Sequence, residues 1–303
     1  MTRTNRLRAV AVLAVGATVL TACGSSSSAL GGGQATQAKV VVASANFPEN
    51  ELIAEMYAGA LQAAGVTVEK KLNIGAREVY VPAMQNGEIS VVPDYTGNLL
   101  LLENTSATAA SSADVYKALQ SALPADLKVL DYSPAEDKDA LVVTAATAAK
   151  YKLKSITDLT PVCGQLVVGG SASFPPRQAG LAGITQKYSC TFKEFRSLDT
   201  GGPLTLNALL NNDIQVADLY TTDSNIPEKK LVVLEDPKNV FPAQNVVPLY
   251  KEGALSDTAK KKLNDVSKAL DTATLTTLLR QVTTDKVPAQ TVAMKWLKDK
   301  GLV

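Results

Sequence analysis

Apolar residues recur along the chain with two different periods, and their alternation predicts an α/β protein. Lys39 to Ala43 is a short β-rich run, and Val66 to Leu72 alternates as a strand does. Between them we expect a helix that is capped by Asn50 and ends at Gly65, and a second helix over Ala76 to Asn86. With the strand that follows, the order is β-α-β-α-β, which is typical of a parallel sheet covered by helices.

One segment of the chain occurs twice. Residues 86–97 read Asn-Gly-Glu-Ile-Ser-Val-Val-Pro-Asp-Tyr-Thr-Gly, and residues 211–223 read Asn-Asn-Asp-Ile-Gln-Val-Ala-Asp-Leu-Tyr-Thr-Thr-Asp. In both copies an Asn, an acidic residue, an Ile and a Val keep their spacing, and Tyr95 or Tyr220 follows the Ile by six residues. Each copy predicts a buried strand with a tyrosine at its carboxyl end, where open α/β sheets bind ligands. Alternatively, both tyrosines merely cap strand edges.

The same reasoning predicts the elements of the rest of the chain. Further helices are expected over Thr96–Glu103, Ser112–Leu123, Thr144–Tyr151, Arg177–Tyr188, Pro203–Asn211, Ser256–Leu270, Thr272–Val282 and Pro288–Lys300. Further strands are expected at Lys128–Leu130, Ala140–Thr144, Leu166–Val168, Thr191–Phe195, Leu231–Leu234 and Val246–Leu249. In the last helix Trp296 lies on the apolar face, which favours core packing over a ligand platform.

This order of elements predicts two α/β lobes. Residues 39–142 and 246–303 form lobe 1, and residues 143–245 form lobe 2, with crossings near Leu141 to Thr144 and Gln244 to Val247. Two lobes joined by two strands can hinge about a cleft. Strand ends that face this cleft would bring Tyr95 and Tyr220 toward each other, which is the geometry of a closing binding protein.

The first residues predict a targeting segment. Three arginines within residues 1–8 precede the apolar run Ala9 to Leu20, which is short for a membrane span, and small residues then lead to Cys23. We expect residues 1–22 to be a lipoprotein signal peptide, with Cys23 lipidated, and residues 23–38 to be a flexible tether. The alternative is a plain secretory signal with an incidental cysteine.

Composition excludes several function classes. The chain contains no histidine, which removes Ser-His-Asp and Cys-His catalysis and histidine-based metal sites. It has 30 basic and 29 acidic residues, so no basic field is present that would attract nucleic acid. The two remaining cysteines, Cys163 and Cys190, lack the spacing of a redox or metal motif, and in an exported protein they favour a disulfide.

Five short motifs, taken in order, resemble the osmoprotectant-binding lipoproteins of ABC importers, which carry glycine betaine, proline betaine, carnitine or choline. The motifs are Ser44–Phe47, Pro93–Gly97, Ser173–Arg177, Leu219–Asp223 and Leu234–Asp236. The resemblance covers the chain from Lys39 onward. It implies a type II periplasmic-binding-protein fold and a tyrosine cage that holds a quaternary ammonium by cation–π attraction.

The resemblance also assigns site residues. Tyr95 and Tyr220 match two of the cage tyrosines, whereas Asp139 and Gln244 stand where the other two rings are expected, and Arg177 matches an arginine that grips a ligand carboxylate. The remaining assignments are Asn98, which replaces a hydroxyl residue, Ala45, which stands where some members carry a lysine, and Phe47 and Asp223, which lie within matching motifs.

The expected pocket is therefore more polar than a full aromatic cage, and alternatives stay open for two of its residues. Asp139 could balance a cation, accept hydrogen bonds from hydroxyls, or be a solvated loop charge. Arg177 could instead pair with Asp137 or Asp223 as a structural bridge.

These observations predict a lipid-anchored receptor on the extracytoplasmic face of a bacterial cell membrane. We expect a monomer, without cofactor or metal, that delivers an osmoprotectant or related small polar solute to ABC permease and ATPase subunits. One alternative is a binding protein or sensor for a different polar or hydroxylated ligand. The other is an extracytoplasmic enzyme that uses carboxylates such as Asp137, Asp139 and Asp223.

Overall fold

Two five-stranded mixed sheets form the frame of the protein. The computed structural model describes residues 39–303. The first sheet has the order β2-β1-β3-β10-β4, and its strands are β1 (Val40–Ala43), β2 (Val68–Lys71), β3 (Val91–Tyr95), β4 (Leu127–Val129) and β10 (Val246–Lys251). The second has the order β7-β6-β8-β5-β9, and its strands are β5 (Asp139–Val143), β6 (Val167–Ser171), β7 (Glu194–Leu198), β8 (Val216–Tyr220) and β9 (Val232–Val233).

Helices cover both sheets. They are α1 (Pro48–Ala63), α2 (Arg77–Gln85), α3 (Thr96–Glu103), α4 (Ser112–Ala122), α5 (Ala145–Tyr151), α6 (Leu181–Tyr188), α7 (Pro203–Leu210), α8 (Asn225–Glu228), α9 (Asp257–Ala269), α10 (Thr272–Thr283) and α11 (Ala289–Asp299). In the described part of the chain, none of the helices combines the length and the apolar character that a membrane span requires.

Successive strand residues enter different cores, because side chains alternate across a sheet. Val91 of β3 packs with α1, α9 and α11, whereas Val92 packs with α2, α3 and α4 on the opposite face. In the second sheet, Val216 packs toward α6 and Ala217 packs toward α7. Trp296 is 5% exposed within the first of these cores, so its predicted packing role is confirmed.

The two sheets repeat one arrangement, as the duplicated segment predicts. Each has three parallel strands, and an antiparallel strand that arrives from the other sheet pairs with β3 or β8. Tyr95 lies opposite Val246, the first residue of β10, and Tyr220 lies opposite Asp139, the first residue of β5. Both tyrosines therefore lie at the sheet ends where the chain crosses over.

The two crossings run antiparallel beside each other, with Glu136 bridged to Asn245 and the Asp137 amide donating to the Gln244 carbonyl at 3.1 Å. The second crossing was predicted near this place. The first was predicted at Leu141 to Thr144, and that prediction was wrong, because β5 pairs with β8 from its first residue onward. Residues 139–143 therefore belong to the second sheet, and the boundary between the lobes precedes β5.

Two local predictions also need correction. Asn50 does not cap α1, because the helix begins at Pro48. The Asn50 side chain instead accepts a hydrogen bond from the Ala45 amide and donates one to the Pro93 carbonyl, at 2.8 Å each. Helix α6 begins at Leu181 and not at Arg177, since the preceding residues form turns.

The predicted disulfide between Cys163 and Cys190 is present, with a Cα–Cα distance of 5.6 Å. It lies in the core of the second sheet. The predicted signal peptide, the lipidation site Cys23 and the tether lie outside the described residues.

Candidate functional site

Three aromatic side chains meet in a cleft between the two sheets. Tyr95 ends β3, Tyr220 ends β8, and Phe47 lies immediately before α1. The Phe47 ring centroid is 6.1 Å from that of Tyr95 and 5.7 Å from that of Tyr220, and the second pair is stacked with 21° between the ring planes. The tyrosines predicted to approach each other therefore share one phenylalanine, which lies in contact range of both.

A glycine holds the Tyr220 ring in place. Gly201 has a φ of +62°, and a Cβ at this position would lie 2.6 Å from the Tyr220 Cδ2. Only a residue without a side chain allows the backbone to lie this close to the ring in this conformation.

The cleft has about 500 Å³ of empty space, part of it open to solvent. Five of the eight predicted ligand-binding residues line it: Phe47, Tyr95, Asn98, Arg177 and Tyr220. The other lining residues are Ala45, Asn46, Ala76, Arg77, Tyr80, Asp137, Ser173 and Thr200.

Asp139 and Gln244, the replacements for two expected rings, lie behind Asn98. The Asn98 side chain donates to Asp139 Oδ2 at 2.7 Å, and the Asn98 backbone amide donates to Gln244 Oε1 at 2.9 Å. Gln244 thus satisfies an amide in the first turn of α3, as a capping side chain does. Asp139 is 4% exposed and is not a solvated loop charge, and burial raises its pKa although the bond from Asn98 opposes this.

Arg177 forms a bridge that the sequence did not suggest. Its Nε and Nη2 atoms donate to Glu78 of α2 at 3.0–3.1 Å, so the second lobe holds a carboxylate of the first in a bidentate pair. The proposed pairing with Asp137 or Asp223 is therefore wrong. Burial alone would raise the pKa of Glu78, but the charge and hydrogen bonds of Arg177, a backbone hydrogen bond and the charge of Arg77 together lower it.

Asp223 lies outside the cleft, in a neighbouring cavity. Its Oδ1 accepts from the backbone and side-chain nitrogens of Asn225 at 2.8 Å, so the carboxylate begins the turn of α8. The structure therefore separates Asp223 from the residues that line the cleft around Tyr95.

Sequence reasoning missed Glu49, which joins three parts of the site. Its carboxylate accepts from the Tyr95 hydroxyl at 2.7 Å and from the Thr222 hydroxyl at 2.6 Å, and it is 3% exposed. Burial raises the pKa of Glu49 and that of nearby Asp137, and the charge of Glu49 adds to the rise at Asp137. An acid in the first turn of a helix has an ordinary explanation in the helix dipole, so no sequence signal marked it.

A buried ion pair also lies beneath the cleft. Arg77 donates to the Asp94 carboxylate through Nε at 3.0 Å, and Tyr80 donates to the other oxygen at 2.8 Å. Arg77 and Tyr80 line the cleft while Asp94 is fully buried. The pair holds α2 against the end of β3, immediately before Tyr95.

The site has an excess of carboxyl groups over cations. Arg77 and Arg177 are each engaged by a carboxylate, Asp94 and Glu78 respectively. The buried acids Glu49, Asp137 and Asp139 are not members of any salt bridge in residues 39–303. Burial raises the pKa of Tyr95 and Tyr220 well above 10, so both rings stay neutral. Neutral aromatic faces beside acidic groups favour a cation.

Solved structures of binding proteins share this fold. The crystal structure of a glycine betaine/carnitine/choline ABC transporter matches with a TM-score of 0.68 and 23% identity, over 87% of this chain and 99% of that one. The fold is therefore that of the type II substrate-binding proteins, with two α/β lobes about a ligand cleft.

Sequence comparisons identify the family. The family "Substrate binding domain of ABC-type glycine betaine transport system" matches residues 38–299. The glycine betaine-binding protein YehZ of Escherichia coli is 26% identical over 267 residues, which are 84% of this chain and 88% of that protein. The carnitine transport binding protein OpuCC of Listeria monocytogenes is 28% identical over 202 residues, 63% of each chain.

The chain belongs to the family of substrate-binding domains of ABC-type glycine betaine transport systems. It is a substrate-binding transport protein and not an enzyme, because its relatives bind substrates for transport. The hypothesis of catalysis by Asp137, Asp139 and Asp223 is accordingly not supported. Substrate-binding proteins of ABC importers work outside the cytoplasm, as the sequence led us to expect.

Proposed function

We propose that this chain is the lipid-anchored receptor of an ABC importer for a small cationic or zwitterionic solute that carries a quaternary amine. The observation that supports this most directly is the meeting of Phe47, Tyr95 and Tyr220 at the ends of two sheets, beside buried carboxyl groups. A cation on an aromatic face gains about 0.5–2 kcal/mol, and more when it is desolvated. The named relatives bind glycine betaine or carnitine, which are solutes of this kind.

Calorimetry with a panel of glycine betaine, carnitine, choline, proline and a neutral sugar tests the ligand class. We expect binding of the quaternary amines and none of the sugar. The variants Tyr95→Ala and Tyr220→Ala should each weaken binding by roughly 2- to 30-fold, which is the range of one cation–π contact.

Tyr132→Ala is the matched control, since Tyr132 packs on Tyr116 with ring centroids 4.9 Å apart and is not among the residues lining the cleft. Its affinity should equal that of the unaltered protein. Unchanged affinity in both cleft variants would refute the aromatic site, and no binding across the panel would refute the ligand class.

A second candidate ligand is a cation that also donates hydrogen bonds, such as a hydroxylated or N–H-bearing amine. The buried Oδ1 atom of Asn98, which lines the cleft, has no hydrogen-bond partner within the described chain, and Asp139 lies next to Asn98. Unpartnered buried acceptors favour a ligand that supplies donors. Choline should then bind more tightly than tetramethylammonium, and Asp139→Asn should reduce that difference.

The anchor and the transport partners are also part of the proposal. A lipid on Cys23, followed by the Ser- and Gly-rich residues 24–38, would hold the receptor near ABC permease and ATPase subunits. Metabolic labelling with a fatty-acid analogue, lost in Cys23→Ala, tests the anchor. Ligand-stimulated ATP hydrolysis by the reconstituted transporter tests the partners.

A further inference from the structure

A second, larger cavity adjoins the aromatic cleft. It has about 1140 Å³ of empty space, part of it open to solvent. Phe47, Asp137, Thr200 and Tyr220 line both cavities, so the Phe47–Tyr220 stack forms part of each wall. The small cleft and the larger cavity are therefore adjacent, and these two rings border both.

Three aliphatic side chains form one part of the lining of the larger cavity, and we refer to this part as the floor. Leu206 of α7 lines it from the second lobe, and Leu279 and Val282 of α10 line it from the first. Leu206 and Val282 are partly exposed, so their packing is incomplete in this state. Apolar surface on two facing walls favours an apolar ligand group, which would remove this surface from water.

The polar part of the lining does not favour an anion. The amides in the first turn of α7 are already used, because Asp199 accepts from Leu204 at 2.9 Å and from Thr205 at 2.8 Å. The acids Glu49 and Asp137 lie on the side nearest the aromatic rings. The lining thus has acids near the rings and aliphatic side chains at α7 and α10, with the polar residues Asn207, Thr283, Thr284 and Lys286 beside those aliphatic side chains.

We propose that the larger cavity holds the apolar tail of an amphipathic cation whose head contacts Phe47 and Tyr220. The ligand class is an amine, quaternary or otherwise, that carries a linear alkyl or acyl chain. This inference rests on the proposed function, since it takes the cationic head from that site and adds a compartment for the rest of the molecule.

The chain-length dependence of affinity tests the proposal. Tetramethylammonium is titrated into the full chain by calorimetry, followed by butyltrimethylammonium, hexyltrimethylammonium and octyltrimethylammonium, in which one methyl group is replaced by a linear alkyl chain. Each methylene that enters the cavity should tighten binding about three- to fourfold, until the tail outgrows the floor. A flat series would overturn the inference while leaving the proposed function intact, because the head group would still bind.

Two variants locate the tail. Leu206→Trp fills the cavity from α7. It should abolish the increase in affinity with alkyl chain length without altering the affinity for tetramethylammonium. Val282→Trp fills it from the facing helix and should do the same, which keeps the test valid if one variant fails to fold. Leu204→Trp is the matched control, because Leu204 is 63% exposed on α7 and does not line the cavity.

Other outcomes also decide the question. If affinity increases equally with chain length in Leu206→Trp, in Val282→Trp and in the control, the tail lies elsewhere and the inference is overturned. If no compound in the series binds, including tetramethylammonium, choline and glycine betaine, the proposed function fails and the inference fails with it.

Discussion

At the scale of single residues, the buried carboxyl groups of Glu49 and Asp137 have the clearest effect on the stability of the protein. Glu49 and Asp137 are each 3% exposed, and both have a raised pKa because burial disfavours their charged forms. Two such groups cannot both ionise without a cost in stability. A cation bound near them would offset this cost, so the position of the pair is consistent with a cation site beside it.

The pair predicts a particular pH dependence of stability. A carboxyl group with a raised pKa binds more protons in the folded than in the unfolded chain, between its ordinary pKa near 4 and the raised value. The free energy of unfolding should therefore decrease as pH rises through that window. Urea unfolding across this range measures it, and Asp137→Asn should flatten the profile and be more stable than the unaltered protein at neutral pH.

Asp265→Asn controls for the loss of an arbitrary charge. Asp265 forms an exposed bridge to Lys261 within α9 at 2.9 Å, and such pairs contribute little. Its pH profile should follow that of the unaltered protein. A profile that rises with pH in the unaltered protein would contradict the assignment of a raised pKa to the pair.

At the scale of elements, the duplicated segment is the unit from which the site is built. Gly87 and Asn212 both have positive φ in the turn before the strand, and β3 and β8 begin at equivalent residues. Each strand then ends in a tyrosine beside an antiparallel neighbour that has just crossed between the sheets. The same local pattern therefore delivers one ring from each sheet.

The disulfide is an element-scale constraint on the second sheet. It links the turn before β6 to the segment after α6, with a sequence separation of 27. Replacing both Cys163 and Cys190 by Ser should lower the free energy of unfolding by about 3 kcal/mol, because the unfolded chain gains the entropy of an open loop. Urea unfolding measures the loss.

Treatment of the unaltered protein with a reductant should produce a similar loss, and the double variant should not respond to it. A double variant as stable as the unaltered protein would contradict the predicted role. Because the bridge lies in the core away from the aromatic cleft, the affinity for a quaternary amine at low denaturant should be unchanged.

At the scale of the whole molecule, two side-chain contacts join the lobes across the cleft. Arg177 of the second lobe holds Glu78 of the first, and Thr222 of the second holds Glu49 of the first. The Arg177–Glu78 pair lies at the rim, where Glu78 is 44% exposed in its side chain. Solvent weakens such a pair to about 1 kcal/mol or less.

Glu78→Gln should therefore shift the unliganded protein toward an open form, by up to about fivefold in the closing equilibrium. Small-angle scattering should show a larger radius of gyration than for the unaltered protein. A saturating ligand should restore the smaller value, since it binds the closed form better. Asp265→Asn serves as the control, and identical scattering of Glu78→Gln and the unaltered protein without ligand would contradict the role of the bridge.

The order of the elements and the positions of the two tyrosines were predictable from the amino-acid sequence alone. Hydrophobic period, capping residues and turn residues act within a few positions, so they are readable along the chain. They located the three closing helices and the strands β3 and β8, whereas the cysteine pair was predicted from the cysteine count and the expected export. The errors at Asn50 and at the start of α6 arose where a side chain bonds across loops or where turns precede a helix.

Which side chains share the cleft became clear from the folded structure and not from the local pattern. Glu49 and Glu78 come from helix starts, where an acid has a local explanation in the helix dipole, and Arg77 is explained only by its pairing with Asp94. Asp139 and Gln244 lie behind Asn98. These outcomes depend on pairing between residues far apart in the chain, such as Thr222 with Glu49. Such contacts follow from how two sheets are joined and packed, and no period within one segment contains that information.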